Sequence, residues 1–221
     1  MDPLNLGPEE ARREVARLRS ELRHHEYLYY VEARPAVSDE EYDRLYRRLQ
    51  ELEGAYPELR SADSPTQRVG TEPQDGFETV AHVSPMLSLD STQKDADVRR
   101  FDERLRKALD GDTPDYLLEP KLDGASIELV YEGGLLARAV TRGNGRQGEG
   151  VTENIKTIPS VPLRLRTEER AAPPLLALRG EVIMYISDFE AFNAGLVASG
   201  QEPYASPRNS AAGAIRQLDP R

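Results

Sequence analysis

Apolar residues recur at helical spacing through the first fifty residues, then switch past residue 125 to the two-residue period of strands. Between residues 8 and 33 the stripe Val15, Leu18, Leu22 and Tyr29 predicts one amphipathic helix. It is entered at Gly7-Pro8-Glu9-Glu10, where proline and two acids suit a first turn, and Arg34-Pro35 ends it. Ser38 with Glu41 three residues later has the spacing of a capping box. It opens a second helix carrying Tyr42, Leu45, Leu49 and Leu52 on one face and stopping near Gly54. The two helices predict a hairpin module over residues 1–70.

Residues 71–94 read as loop, with Pro73, Gly76 and Pro85. Val98, Phe101, Leu105 and Leu109 then predict a helix over 95–109. Ile127, Leu129 and Tyr131 alternate with Ser126 and Glu128, Glu132-Gly133-Gly134 turns the chain, and Leu135 to Thr141 returns it as a β-hairpin. Leu175 to Met184 reads as one strand or a strand pair, with Gly180 marking a bend. Ser187 and Glu190 have cap spacing for another helix, and Pro207 to Leu218 predicts a last one. Strands do not alternate with helices of 10–15 residues, which excludes a doubly wound parallel sheet. The expectation is an α+β fold: a helical hairpin followed by a domain of antiparallel sheets over residues 71–221, without internal repeats.

Composition narrows the function. Of 221 residues, 38% are hydrophobic and 31% charged, a lean composition that still supports a packed core. A net charge of −10 and a pI near 5.0 lack the basic stripe of a nucleic-acid binder. A DNA partner would have to be held by local arginines or by a further part of the protein. The absence of cysteine excludes disulfides and thiolate zinc sites and suits a reducing cytoplasm. The first residues, MDPLNLGPEE, lack the regions of a signal peptide, and no apolar run approaches the roughly 18 residues of a membrane span. We expect a cytoplasmic monomer without membrane attachment.

Basic residues are almost all arginine; the four lysines are Lys94, Lys107, Lys121 and Lys156. Arginine stays protonated, whereas a lysine can lose its proton and act as a nucleophile. Lys121 lies in LLEPKLDGASIELV between Glu119 and Asp123. On a strand these alternate residues would share one face, two carboxylates flanking an amine. An exposed ion-pair ladder fits that pattern. A nucleophile fits it only under a condition. An ordinary lysine, with a pKa of about 10.4, is neutral about one time in a thousand near pH 7.5, and neighbouring carboxylates favour the ammonium further. A nucleophilic Lys121 therefore needs desolvation, or positive charge brought by a ligand or metal.

Two other patterns lead elsewhere. Gly143-Asn144-Gly145-Arg146-Gln147-Gly148 fits G-x-G-x-x-G, but it follows a hairpin strand, and Pro159 leaves no room for the crossover helix of a dinucleotide-binding unit. The residues leave open a loop whose amides approach a phosphate and a plain surface turn. His25-Glu26 begins like H-E-x-x-H, but Leu28 and Tyr29 follow, and no ligand set at metal spacing completes it.

Lys121-Leu122-Asp123-Gly124 matches the K-x-D-G motif of nucleotidyl-lysine enzymes: DNA ligases, RNA ligases and mRNA capping enzymes. More specific are HHEYLYYVEARPAVSDEEYDRL, DSPTQRVG, PMLSLD, TRGNGRQGEGVTENI, LRGEV and SPRNSAAGAIRQLDPR. Over essentially the whole chain these resemble bacterial NAD⁺-dependent DNA ligases. The resemblance implies a helical Ia domain over 1–70 and an adenylation domain over 71–221, incomplete at its C-terminus. It further implies that Lys121 attacks the adenylyl phosphate of NAD⁺, forming lysyl-AMP and releasing nicotinamide mononucleotide. Glu119, Ser88 and Leu89 would lie by the adenine, with Asp123 in the same motif, and Arg142 and Glu181 by the ribose. Tyr29, Tyr30, Asp39, Tyr42 and Asp43 would hold the nicotinamide mononucleotide half. Tyrosine faces and carboxylates do suit a cationic pyridinium ring, and Asp39, Tyr42 and Asp43 share one helix face. Tyr42 equally suits the head of the Leu45/Leu49/Leu52 core stripe. Arg208 and Arg216 would meet phosphates. Nicked double-stranded DNA and Mg²⁺ follow as partner and cofactor, with zinc expected only in a region beyond Arg221. Tyr30 stands where some relatives carry histidine, and Asn144 and Gly150 stand where aspartate is common. The rival expectations are a nucleotide-binding module that does not complete catalysis, and an ATP-dependent ligase or capping enzyme.

Overall fold

The computed structural model describes residues 6–30, 32–68, 76–168 and 170–220. Helix α1 spans Pro8–Tyr30 and α2 spans Asp39–Ala55. Helix α1 stops short of residue 33: Ala33 takes a left-handed φ of 51°, and the Arg34 N–H closes back onto the Leu28 carbonyl. Ser38 caps α2 by accepting from the Glu41 N–H. Val15, Leu18, Leu22, Leu49 and Leu52 are buried between the helices, each burial contributing about 2 kcal/mol. Tyr29, placed on that stripe by periodicity, lies outside it and is half-exposed. Two short 3₁₀ turns, Pro57–Leu59 and Pro65–Arg68, lead away from the hairpin.

The second region is built on a three-stranded antiparallel sheet in the order β3-β2-β5: β2 is Ala125–Glu132, β3 Leu135–Thr141 and β5 Leu175–Val182. Gly133 and Gly134 turn β2 into β3 with φ of 56° and 83°, values open to glycine. A two-stranded sheet joins β1 (Thr79–Ala81) to β4 (Gln147–Glu149), and lays the segment after β1 against the main sheet. Helix α4 (Thr152–Lys156) and helix α6 (Pro207–Ala214) cover one face, where Ile127, Ala139, Val151, Ile155 and Ile215 form the second core. The antiparallel α+β expectation is met.

Several details differ from expectation. The stretch 175–184 holds a single strand, which runs through Gly180 without a break and ends at Val182. Helix α5 (Ile186–Ala198) starts before Ser187, so Ser187 and Glu190 do not cap it. The last helix ends at Ala214 and is capped by Ser206, whose hydroxyl accepts from Asn209 N–H. Helix α3 (Asp95–Ala108) forms nearly as expected, yet none of its apolar stripe is buried.

Candidate functional site

The motif around Lys121 is not on a strand. Residues 112–123 have no regular structure, and β2 begins at Ala125. Glu119 and Asp123 therefore do not flank Lys121 through strand alternation. Lys121 and Glu119 are exposed, and Asp123 is paired instead with Arg208 at 2.8 Å. That pair carries off the charge that sequence spacing assigned to holding the lysine ammonium.

What is fixed is the last residue of the motif. Gly124 is buried, and a Cβ there would overlap the Val182 carbonyl oxygen, so only glycine lets the chain pass the end of β5. Glu181 on β5 accepts from Gly124 N–H at 3.1 Å and from the Ser126 hydroxyl at 2.7 Å. One carboxylate thereby ties the exit of the lysine motif to the neighbouring strand. Arg142, just after β3, is anchored by its own N–H on the Ser126 carbonyl, and its guanidinium donates to Ser88 Oγ at 2.6 Å. Leu89, one residue on, projects into solvent with 78% of its surface exposed.

Ser126 and Arg142 border an open cleft of about 450 Å³, lined also by Asn144, Glu149 and Arg216 among others. Arg216 is held by Glu149 at 2.6 Å. The glycine loop forms its rim: Gly143 and Gly145 have φ of 51° and 86°, and Asn144 Oδ1 accepts from the N–H groups of Arg146 and Gln147. The G-x-G-x-x-G pattern is thus the tight turn between β3 and β4, and Asn144 is the residue that closes it.

The helical module gathers the aromatic candidates. Tyr29 and Tyr30 meet edge to face with centroids 4.8 Å apart, both about half-exposed. The Tyr30 phenol is raised by burial and by nearby Tyr29, Glu26 and Asp39. Tyr42 stacks near Tyr46 at 6.3 Å and donates to buried Glu26 at 3.1 Å; burial, then the Glu26 carboxylate, raises it far above its ordinary value. Tyr42 is therefore both a core residue and part of the tyrosine cluster. Asp39 and Asp43 are exposed beside it on α2.

Sequence reading missed Glu26 and Arg68, which join the two regions. Arg68 donates to both oxygens of Glu26 at 3.2 Å, and to the carbonyls of Lys156, Ile158 and Val161 at 3.1 Å each. The signal was present: Glu26 sits four residues after Leu22 on the buried stripe of α1, where an acid requires a partner. Asp63 makes a second link, bonding Arg23 at 2.9 Å and Arg164 at 2.5 Å. Among the described residues no group of three or more His, Asp or Glu is arranged to hold a metal ion, and no helix is long and apolar enough to cross a membrane.

Residues 74–221 match the family described as the NAD-dependent DNA ligase adenylation domain, and residues 8–70 match the DNA ligase-like, N-terminal NAD⁺-binding domain. The chain belongs to the NAD-dependent DNA ligase family, as its NAD⁺-binding and adenylation regions. A DNA ligase of Alkalilimnicola ehrlichii is 52% identical over 207 residues, covering 94% of this chain and 30% of that protein. One of Coprothermobacter proteolyticus is 51% identical over 211 residues, 96% of this chain and 31% of that protein. One of Haloarcula marismortui is 52% identical over 216 residues, 98% and 30%. The chain thus spans about 30% of the length of these curated relatives.

Proposed function

We propose that this chain is the NAD⁺-binding and adenylation part of a DNA ligase, in which Lys121 is loaded with AMP from NAD⁺, the step that precedes sealing of a nick between 5′-phosphate and 3′-hydroxyl in double-stranded DNA. The observation that carries this reading is the Glu181 clasp, which seats the exit of the lysine motif beside the cleft that Ser126 and Arg142 line. In this reading the Lys121 amine attacks the adenylyl phosphorus and nicotinamide mononucleotide leaves. Ser88, Leu89, Glu119, Asp123, Arg142 and Glu181 surround the adenylate. Tyr29, Tyr30, Asp39, Tyr42 and Asp43 receive the pyridinium nucleotide, whose positive charge suits exposed tyrosine faces and carboxylates.

Arg208 and Arg216 are assigned to phosphates of the nucleotide or the nick. Both now sit in solvent-exposed ion pairs, which are worth at most about 1 kcal/mol, so a phosphate can displace Asp123 or Glu149 at little cost. Mg²⁺ belongs to the proposal as a companion of the nucleotide phosphates, where it keeps several waters and needs one or two carboxylates. The exposed Glu119 and the loosely paired Asp123 fit that mode, and the ion would supply charge neutralisation at the phosphates. A cytoplasmic monomer remains the proposed setting.

A second reading, a nucleotide-binding module that does not complete catalysis, is favoured by one observation: Lys121 sits exposed in an irregular segment. Intact mass after incubation with NAD⁺ and Mg²⁺ separates the two. Gain of one AMP, absent in Lys121→Ala, supports self-loading; binding without an adduct supports the module. For these residues alone we expect nicotinamide-nucleotide binding, weak or no adduct, and no nick sealing. An adduct formed from ATP but not NAD⁺ would transfer the chain to the ATP-dependent class.

A further inference from the structure

Behind Arg142, away from the cleft, two ionisable side chains are packed out of solvent. Glu128 lies mid-β2 with none of its surface exposed, and the His82 side chain, one residue after β1, is 1% exposed. His82 Nδ1 is 3.1 Å from Glu128 Oε2, and His82 Nε2 is 3.1 Å from the carbonyl oxygen of Arg142. The Val83 N–H also donates to Glu128 Oε2, at 3.2 Å. Neither side chain lines the cleft that Arg142 lines.

The protons can be counted. A carbonyl oxygen only accepts, so Nε2 carries a hydrogen. One further hydrogen lies between Nδ1 and Glu128 Oε2, which holds the ring in place. A buried polar pair is hard to justify as a stability device, since an apolar pair of similar volume often does as well. What this one does is geometric. The Arg142 carbonyl accepts from His82 on one side and from the Gly145 N–H on the other, which fixes the first peptide of the glycine turn. The backbone of the same histidine donates to the Arg146 carbonyl across that turn.

We propose that His82 and Glu128 are positioning residues for Arg142: the pair clamps the Arg142 carbonyl so that the guanidinium is held toward Ser88 and the adenylate. This rests on the assignment of Arg142 to the nucleotide. Arg179, directly opposite Glu128 on β5, completes the setting by donating to the carbonyls of Ser84 and Pro85 and to Ser84 Oγ, which pins the segment between His82 and Ser88.

The test is a double-mutant cycle on the whole chain, reading equilibrium binding of AMP. His82→Ala is expected to weaken AMP about tenfold, the usual effect of losing one buried hydrogen bond. In an Arg142→Ala background the same change is expected to cost less than about twofold, because nothing remains to position. Glu128→Gln is expected to retain most of the affinity, since its amide can donate to Nδ1 while Nε2–H still reaches Arg142. If His82→Ala does not fold, His82→Gln takes its place, as it preserves bulk but spans only one of the two acceptors. Equal losses in both backgrounds, or unchanged affinity in a folded His82 variant, overturn the proposal. A readout without nucleotide keeps the two assignments apart. Nitrogen NMR of His82 should show Nε2 carrying a hydrogen, and hydrogen exchange at Gly145 should quicken in the His82 variant. If AMP does not bind the wild-type chain but both signatures appear, the nucleotide role of Arg142 fails while the clamp stands; a ring without hydrogen on Nε2, with unchanged exchange, removes the clamp.

Discussion

Replacing Arg68 with alanine should separate the helical module from the sheet domain energetically. The Arg68 side chain is 13% exposed and its partner Glu26 8%. Its guanidinium supplies two bonds to that carboxylate and three to main-chain carbonyls of residues 156–161. Removing one member of a buried pair costs about 3–5 kcal/mol, most of it the penalty of the charge left behind. Tyr42 still donates to Glu26 and solvent can reach part of the gap, so the lower end, about 3 kcal/mol, is expected. Glu26→Gln should cost less, because its amide oxygen can still accept from Arg68 and Tyr42. The double variant should be less damaged than the sum of the two by at least about 1 kcal/mol. Urea unfolding monitored by circular dichroism measures all three, with the slope compared to detect a transition that has split in two. A loss below about 1 kcal/mol for Arg68→Ala, with additive behaviour in the double variant, would refute the reasoning.

Asp63 offers a pH test. Burial pushes its carboxyl up, but bonds from Ser61 and Arg164 and the charges of Arg164 and Arg23 more than offset this, holding it at about 2 against an ordinary 3.8. A depressed carboxyl stabilises the fold above its unfolded pKa and loses that contribution as pH falls through the folded one. About 2 kcal/mol should therefore disappear between roughly pH 4 and pH 2, and Asp63→Asn should lack that portion of the acid limb. Gly124→Ala forces a methyl onto the Val182 carbonyl; a drop of about 1–3 kcal/mol in thermal or urea stability is expected. Lys121→Ala should leave the melting temperature unchanged while removing any AMP adduct, since Lys121 is exposed.

The helical hairpin was legible because its stripe and its Ser38 cap are local signals, and the β2–β3 hairpin because two adjacent glycines have few other uses there. The position of Lys121 was not. Two-residue spacing around Glu119, Lys121 and Asp123 imitates a strand, but Pro120 lies inside it, and only from Ala125 onward does the chain find β5 to pair with. Glu128 read as the solvent side of β2, yet the segment after β1 folds over that face. Such coverage depends on the β1–β4 pairing of residues about 70 apart in sequence, which periodicity does not report. Of the site residues, the tyrosine cluster, Ser88 with Arg142, and Glu181 with the lysine motif do come together; Leu89 and Glu119 point into solvent without a partner among the described residues.

The scarcity of lysine gives the irregular, exposed stretch around Lys121 a second use, as a reporter to another enzyme. A lysine-specific protease finds only four bonds to cut in this chain. Lys107 lies within α3, and Lys156 is tied to Glu153 at the end of α4, whereas Lys94 and Lys121 stand in or beside extended chain. Native digestion should therefore nick the protein after Lys94 and Lys121 first. Once the Lys121 amine is joined to phosphorus it no longer fits the protease's pocket, so the fraction of chains surviving as the 95–221 fragment counts the loaded molecules directly.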